Sequence, residues 1–291
     1  MIKTLKQIVA HTREVRPLIH TITNNVTVND CANIILAAYG APTMAQDERE
    51  VEEITALSQA LVLNLGALRA QEAMLLAGKK ANALGHPVVM DPVAAGASFL
   101  RGETSRRLLH EVQMAVIRGN ASEIRALAVG SETTQGVEVN AVDKVTEENL
   151  DSAVSMVRAF SRRTGAAVVL TGEIDLISDG RRTAVVRGGC EMMSRITGAG
   201  CMLTALTAAY CGANPERIFE SAVAAAGVMD ICGELAYRRV REAMEGLPHP
   251  ADRCGQPAGG RCAGRAERPN PLNNAVGLWP SAPEHSLGVP P

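Results

Sequence analysis

The 291-residue chain is 46% hydrophobic and 21% charged, with a formal net charge of −2, enough for one large core or two modest ones. A near-neutral balance with only 2% aromatics argues against nucleic acid or anionic lipid as a partner and against a base-stacking platform. No window approaches the roughly 18 apolar residues of a membrane span. The N-terminal MIKTLKQIVAHTREVRP lacks the apolar stretch of a signal peptide, so a cytosolic protein is expected.

LVLNLG (61–66) reads as a buried strand ending in a glycine turn, and AQEAMLLAGKKANALG (70–85) as a helix with a glycine stop. PVVMDPV (87–93) is the next strand and ends in a carboxylate. TSRRLLHEV (104–112) is helical and MAVIRGN (114–120) a strand. Over 147–163, Leu150, Val154, Val157 and Phe160 fall at helical spacing. AAVVLTG (166–172) is a further strand, and DLISDGRRTAVVRGG (175–189) a hairpin around Asp179-Gly180. Strand and helix in repeated order predict a parallel sheet covered on both faces.

Such sheets bind ligands beyond the carboxyl ends of their strands. Those ends carry Asn64, Asp91, Asn120 with Glu123, and Thr171 with Glu173. Each alone suits a turn or cap; the set suits a site. TGAGC (197–201) then places two glycines before the helical run CMLTALTAA. Unpaired N–H groups at such a helix mouth suit an anion, most often phosphate, though similar loops also serve tight packing. NASE (120–123) sets Asn120 and Glu123 on one side of a turn. From the residues alone Glu123 reads as a first-turn acid complementing the dipole, and Asp91 as a turn residue before Pro92.

The seven cysteines form no CxxC and no disulfide framework; Cys31, Cys211 and Cys232 read as small core residues. A cysteine at a helix N-terminus, as Cys201 is, can have its pKa drawn below about 8.5. Cys201 then reads as a general base or as a small residue packed at a tight turn. As a base, it would tolerate Cys201→Asp with activity kept or raised.

With these residues assembled, the chain resembles the hydroxyethylthiazole kinase family of the ribokinase-like superfamily. The matching text is HTITNNVTVNDCANIILAAYGAPTMA (20–45), LVLNLGAL (61–68), VVMDPVAAGAS (88–98), VIRGNASEI (116–124), VVLTGEIDLISDG (168–180) and TGAGCML (197–203). The resemblance implies an α/β fold with a mostly parallel central sheet, and phosphorylation of 4-methyl-5-(2-hydroxyethyl)thiazole with ATP and Mg²⁺. It implies a homotrimer with sites between subunits. It assigns an anion hole to the amides of Ala199, Gly200 and Cys201, catalytic roles to Cys201 and Asp91, and metal roles to Glu123 and Asp91. Arg118 and Thr171 carry over as ATP contacts, and Asn25, Met44 and Gly198 as thiazole contacts; from the residues alone Met44 reads as core and Arg118 as a solvated surface residue. A kinase for the pyrimidine half of thiamine and a catalytically impaired thiazole-binding protein are the competing readings.

The resemblance stops near residue 245, where the family's further C-terminal segment is not found. Residues 246–291 hold nine of the 14 prolines and no sustained periodicity, so disorder or loose docking is expected. The text resembles out-of-frame translation of a GC-rich gene. The expected domain is 1–245.

Overall fold

Strands that are apolar on both faces must bury both. The computed structural model, which describes residues 1–129, 144–245 and 276–279, does this with helices on either side of one sheet. In chain order the elements are α1 (Ile2–Val15), β1 (Leu18–Ile22), α2 (Val28–Ala37), β2 (Ala41–Thr43), α3 (Val51–Leu57) and β3 (Ala60–Asn64). Next come α4 (Gln71–Leu84), β4 (Val88–Asp91), α5 (Phe99–Glu111), β5 (Val116–Asn120) and α6 (Ala121–Val129). They are followed by α7 (Leu150–Thr164), β6 (Ala167–Thr171), β7 (Asp175–Ser178), β8 (Thr183–Val186), α8 (Ala199–Ala213), α9 (Ile218–Glu245) and β9 (Val276–Trp279).

The strand order is β2-β1-β3-β4-β5-β6-β7-β8-β9. Pairing is parallel from β2 through β6 and antiparallel from β6 through β9. Alternation along each strand builds two cores. Leu61, Leu63, Val88, Met90, Ile117, Val168 and Leu170 face α3–α7, while Val62, Val89, Val116 and Val169 face α1, α2, α8 and α9. The helical stripe of α7 buries Leu150, Val154, Val157 and Phe160, and Gly85 stops α4 in the left-handed region at φ 71°. The hairpin turns at Gly180, φ 83°.

One expectation changes. Cys232 is exposed rather than core, because α9 leaves the body beyond its buried first half and also exposes Leu235, Tyr237 and Val240. The proline-rich segment supplies a strand, β9, to the sheet edge beside β8; its other residues lie outside those described. No helix among the described residues is long and apolar enough to cross a membrane.

Candidate active site

The parallel register sets strand ends side by side. Asn64 pairs with Asp91 across β3 and β4, and Asn120 with Thr171 across β5 and β6. The N-terminus of α8 meets this polar edge. Its cap, Gly198, has φ 82°, and a Cβ there would run into the Thr27 side chain, so the backbone conformation and the close approach both require glycine.

On one side of the α8 mouth lies Arg118. Its Nη2 donates to Thr171 Oγ1 at 2.6 Å. Its guanidinium lies so close over Gly200 that an added Cβ would collide with Nη1. Among the described residues Arg118 Nε is buried without a partner. Reading Arg118 as a solvated surface residue is therefore corrected. These groups open into a cleft of about 1020 Å³ that is also lined by Asp175, Gly188, Gly189 and Asp230. A cleft of this size suits a nucleotide-sized molecule. Burial pushes Asp175 up to about 6 and Asp230 up to about 7. The cleft lining thus carries the Arg118 guanidinium and these two carboxyl groups together, with Asp175 within reach of the Arg118 charge.

On the other side of the mouth lie Asp91 and Cys201. Asp91 is 1% exposed and its Oδ2 accepts from Asn64 Nδ2 and Thr204 Oγ1, both at 3.0 Å. Burial raises its pKa to about 6, opposed by Arg118 and assisted by the charge of Glu123. Cys201 Sγ receives Asn64 Nδ2 at 3.1 Å and Asn24 Nδ2 at 3.6 Å. The expected lowering of the Cys201 pKa is corrected. Burial, and then the charge of Asp91, push the thiol up. Among the anion-hole amides, Ala199 N already donates to Ile196 O at 3.3 Å, whereas Gly200 and Cys201 lie in the first turn, whose amides have no helical acceptor.

NASE folds as a reciprocal cap. Glu123 N donates to Asn120 Oδ1 and Asn120 N to Glu123 Oε2, both at 2.9 Å. Glu123 Oε1 also accepts Ala94 N at 2.9 Å, tying the loop after β4 to α6. Among the described residues no group of three or more His, Cys, Asp or Glu could hold a metal. Mg²⁺ needs no such cage, since it keeps waters and binds through one or two carboxylates plus substrate phosphates. Asp91 and Glu123, close enough for one charge to shift the other, fit that donor set.

Of the residues expected at the thiazole, Gly198 is at the mouth. Met44 is half-buried and packs against the same apolar cluster as Cys201. Its loop is held by His20, bonded to Ala45 O at 2.9 Å, and by Gln46 Nε2, which donates to Thr23 O at 2.7 Å. Asn25 is exposed; its neighbour Asn24 faces Cys201 instead. Sequence reasoning did not single out Asn24, Thr204 or His20, and noted Asn64 only as a strand-end residue.

A family model described as the hydroxyethylthiazole kinase family matches residues 9–247. The chain belongs to the hydroxyethylthiazole kinase family. It is 50% identical over 238 residues to a hydroxyethylthiazole kinase of Clostridium acetobutylicum, covering 81% of this chain and 87% of that one. The solved hydroxyethylthiazole kinase protein of Pyrococcus horikoshii OT3 superposes with TM-score 0.73 at 35% identity, over 82% of this chain and 87% of that one. A pyridoxal kinase from Staphylococcus aureus shares the fold alone, with TM-score 0.53 at 19% identity over 73% and 85% of the two chains. The mostly parallel α/β sheet of this thiazole kinase family member is thus the ribokinase-like fold.

Proposed function

We propose that the chain transfers the terminal phosphoryl group of ATP to the hydroxyl of 4-methyl-5-(2-hydroxyethyl)thiazole, as a phosphotransferase with an alcohol acceptor. The observation that carries this is the α8 mouth. First-turn amides there lie under the Arg118 guanidinium, between a nucleotide-sized cleft and the Asp91–Cys201 pair. Membership in the thiazole kinase family favours this over a pyrimidine kinase or an impaired binding protein.

Phosphoryl transfer asks mainly for positioning and charge stabilisation. The cleft takes ATP, with Arg118 and the Gly200 and Cys201 amides on its phosphates; removing one such donor typically costs about 2.7–4 kcal/mol of barrier. Thr171 orients Arg118. The loop bearing Met44, with Gly198 and Thr27, holds the thiazole, and the exposed Asn25 is assigned to the same pocket. Asp91, whose pKa is raised to about 6, takes the hydroxyl proton, while Cys201 shapes the acceptor side. Bound Mg²⁺ would neutralise phosphate charge, with Asp91 and Glu123 holding its hydration shell.

The kinase domain spans 1–245, works as a homotrimer and resides in the cytoplasm. Purified protein with ATP and Mg²⁺ should consume ATP faster when the thiazole is added and give the phosphorylated thiazole by mass. A folded sample that neither binds nor phosphorylates the thiazole, yet phosphorylates another alcohol in a substrate panel, would replace this assignment.

A further inference from the structure

The side chain of Asn64 is 1% exposed and every hydrogen-bonding position it has is used. Oδ1 accepts Gly66 N at 2.8 Å and Asn24 Nδ2 at 3.3 Å. Nδ2 donates to Asp91 Oδ2 at 3.0 Å and to Cys201 Sγ at 3.1 Å. The amide cannot be turned around, because a backbone N–H only donates and Gly66 therefore fixes which end is oxygen. Asn24 is fixed the same way. Its Oδ1 accepts Val26 N at 3.0 Å and Thr27 N at 3.1 Å, so its Nδ2 is left to face Asn64 and Cys201.

We propose that Asn64 is a positioning residue for the transfer step, setting the Cys201 sulfur and the Asp91 carboxylate at a fixed separation beside the α8 mouth. The proposal rests on the kinase reading above. Asn64 bridges three elements, β3, β4 and α8, and its two acceptors are both side chains placed where the acceptor hydroxyl meets the phosphoryl group. Gly66 belongs to the device. A Cβ at Gly66 would lie 2.7 Å from Asn64 Oδ1 and 2.8 Å from Asn24 Cβ, so only glycine brings that amide into line. Thr204 supplies the second hydrogen bond to Asp91 Oδ2 and so holds Asp91 in the fold when Asn64 is changed. A fully satisfied buried amide is rigid, and its loss is felt by each group that it orients.

Asn64→Asp keeps the acceptor for Gly66 and removes both donations. Its kcat should fall about 10- to 100-fold, the usual cost of losing a group that orients an active side chain, with the thiazole KM within about threefold. In a Cys201→Ala background the same change should cost several-fold less, because one of the two groups it orients is gone. Equal cost in both backgrounds, or a raised KM with kcat unchanged, would overturn the proposal. Should Asn64→Asp not fold, Asn24→Ser reads the same network. It retains an oxygen for the loop but loses the donor, and an unchanged kcat in that variant would also count against the proposal. Wild-type turnover is measured alongside: failure there indicts the kinase reading, whereas wild-type turnover with unaffected Asn64 variants indicts only this inference.

Discussion

Cys201 stands where two effects oppose each other. The first turn of α8 favours a thiolate, but by only about 0.3–1 kcal/mol at an ordinary helix end, less than the ~1.4 kcal/mol of one pKa unit. Burial and the neighbouring Asp91 act the other way and prevail, so the thiol stays protonated. Its sulfur also receives two amide donors, which an oxygen could accept equally well. Cys201→Ser should therefore lower kcat by no more than about tenfold while leaving the thiazole phosphorylated, as read from steady-state kinetics with product identified by mass. Complete loss in a folded variant would restore the thiolate as the base. The sequence placed Cys201 at the helix mouth correctly. What it could not weigh was how deeply the loop of Asn24 and the strand end at Asn64 cover it, since both come from more than 130 residues away along the chain.

At the scale of elements, the motif that opens α6 folds as a helix cap. The N-x-x-E spacing that resembles a magnesium motif is also the spacing of a capping box, and here both Glu123 oxygens accept backbone amides. Glu123→Ala should cost about 1–3 kcal/mol of stability, the penalty for stranding partly buried donors, and should do so in urea unfolding without magnesium or nucleotide. A residue whose role is only the ion would leave metal-free stability untouched. Strands β3 to β6 and helices α4 and α7 were legible because periodicity and a terminal glycine agreed. Of the N-terminal elements, strand β1 was not read. LIHTI carries His20 and Thr21, buried at 0% exposure, and a strand with polar residues facing inward has no apolar signature. His20 is satisfied by Thr55 and Ala45, partners that only the folded chain brings. The exposed far half of α9 was missed for the converse reason: its apolar pattern continues after the body it packs on has ended.

For the whole molecule, the two-layered core and the line of polar strand ends follow from alternation and topology, so that line of strand ends was legible in the sequence. The expected thiazole contact in this turn was Asn25, whereas the turn closed by the amides of Val26 and Thr27 directs Asn24 toward Cys201. That turn leaves Val26 73% exposed, and Ile196, on the loop entering α8, is 53% exposed. Large apolar side chains flanking a binding loop favour burial against another surface. In the proposed homotrimer that surface is a second copy, and the thiazole side of the site is completed across the interface. Sedimentation should then give three times the 30.7 kDa chain mass. Val26→Glu with Ile196→Asp should shift the protein toward monomer, because each buried unpaired carboxylate costs several kcal/mol. The thiazole KM should rise with it, while ATP binding, proposed for the cleft beside Arg118, should change little. A monomer that binds the thiazole as tightly as the trimer would separate assembly from the site, and wild-type sedimentation as a monomer would remove the subunit interface from the account of these two residues.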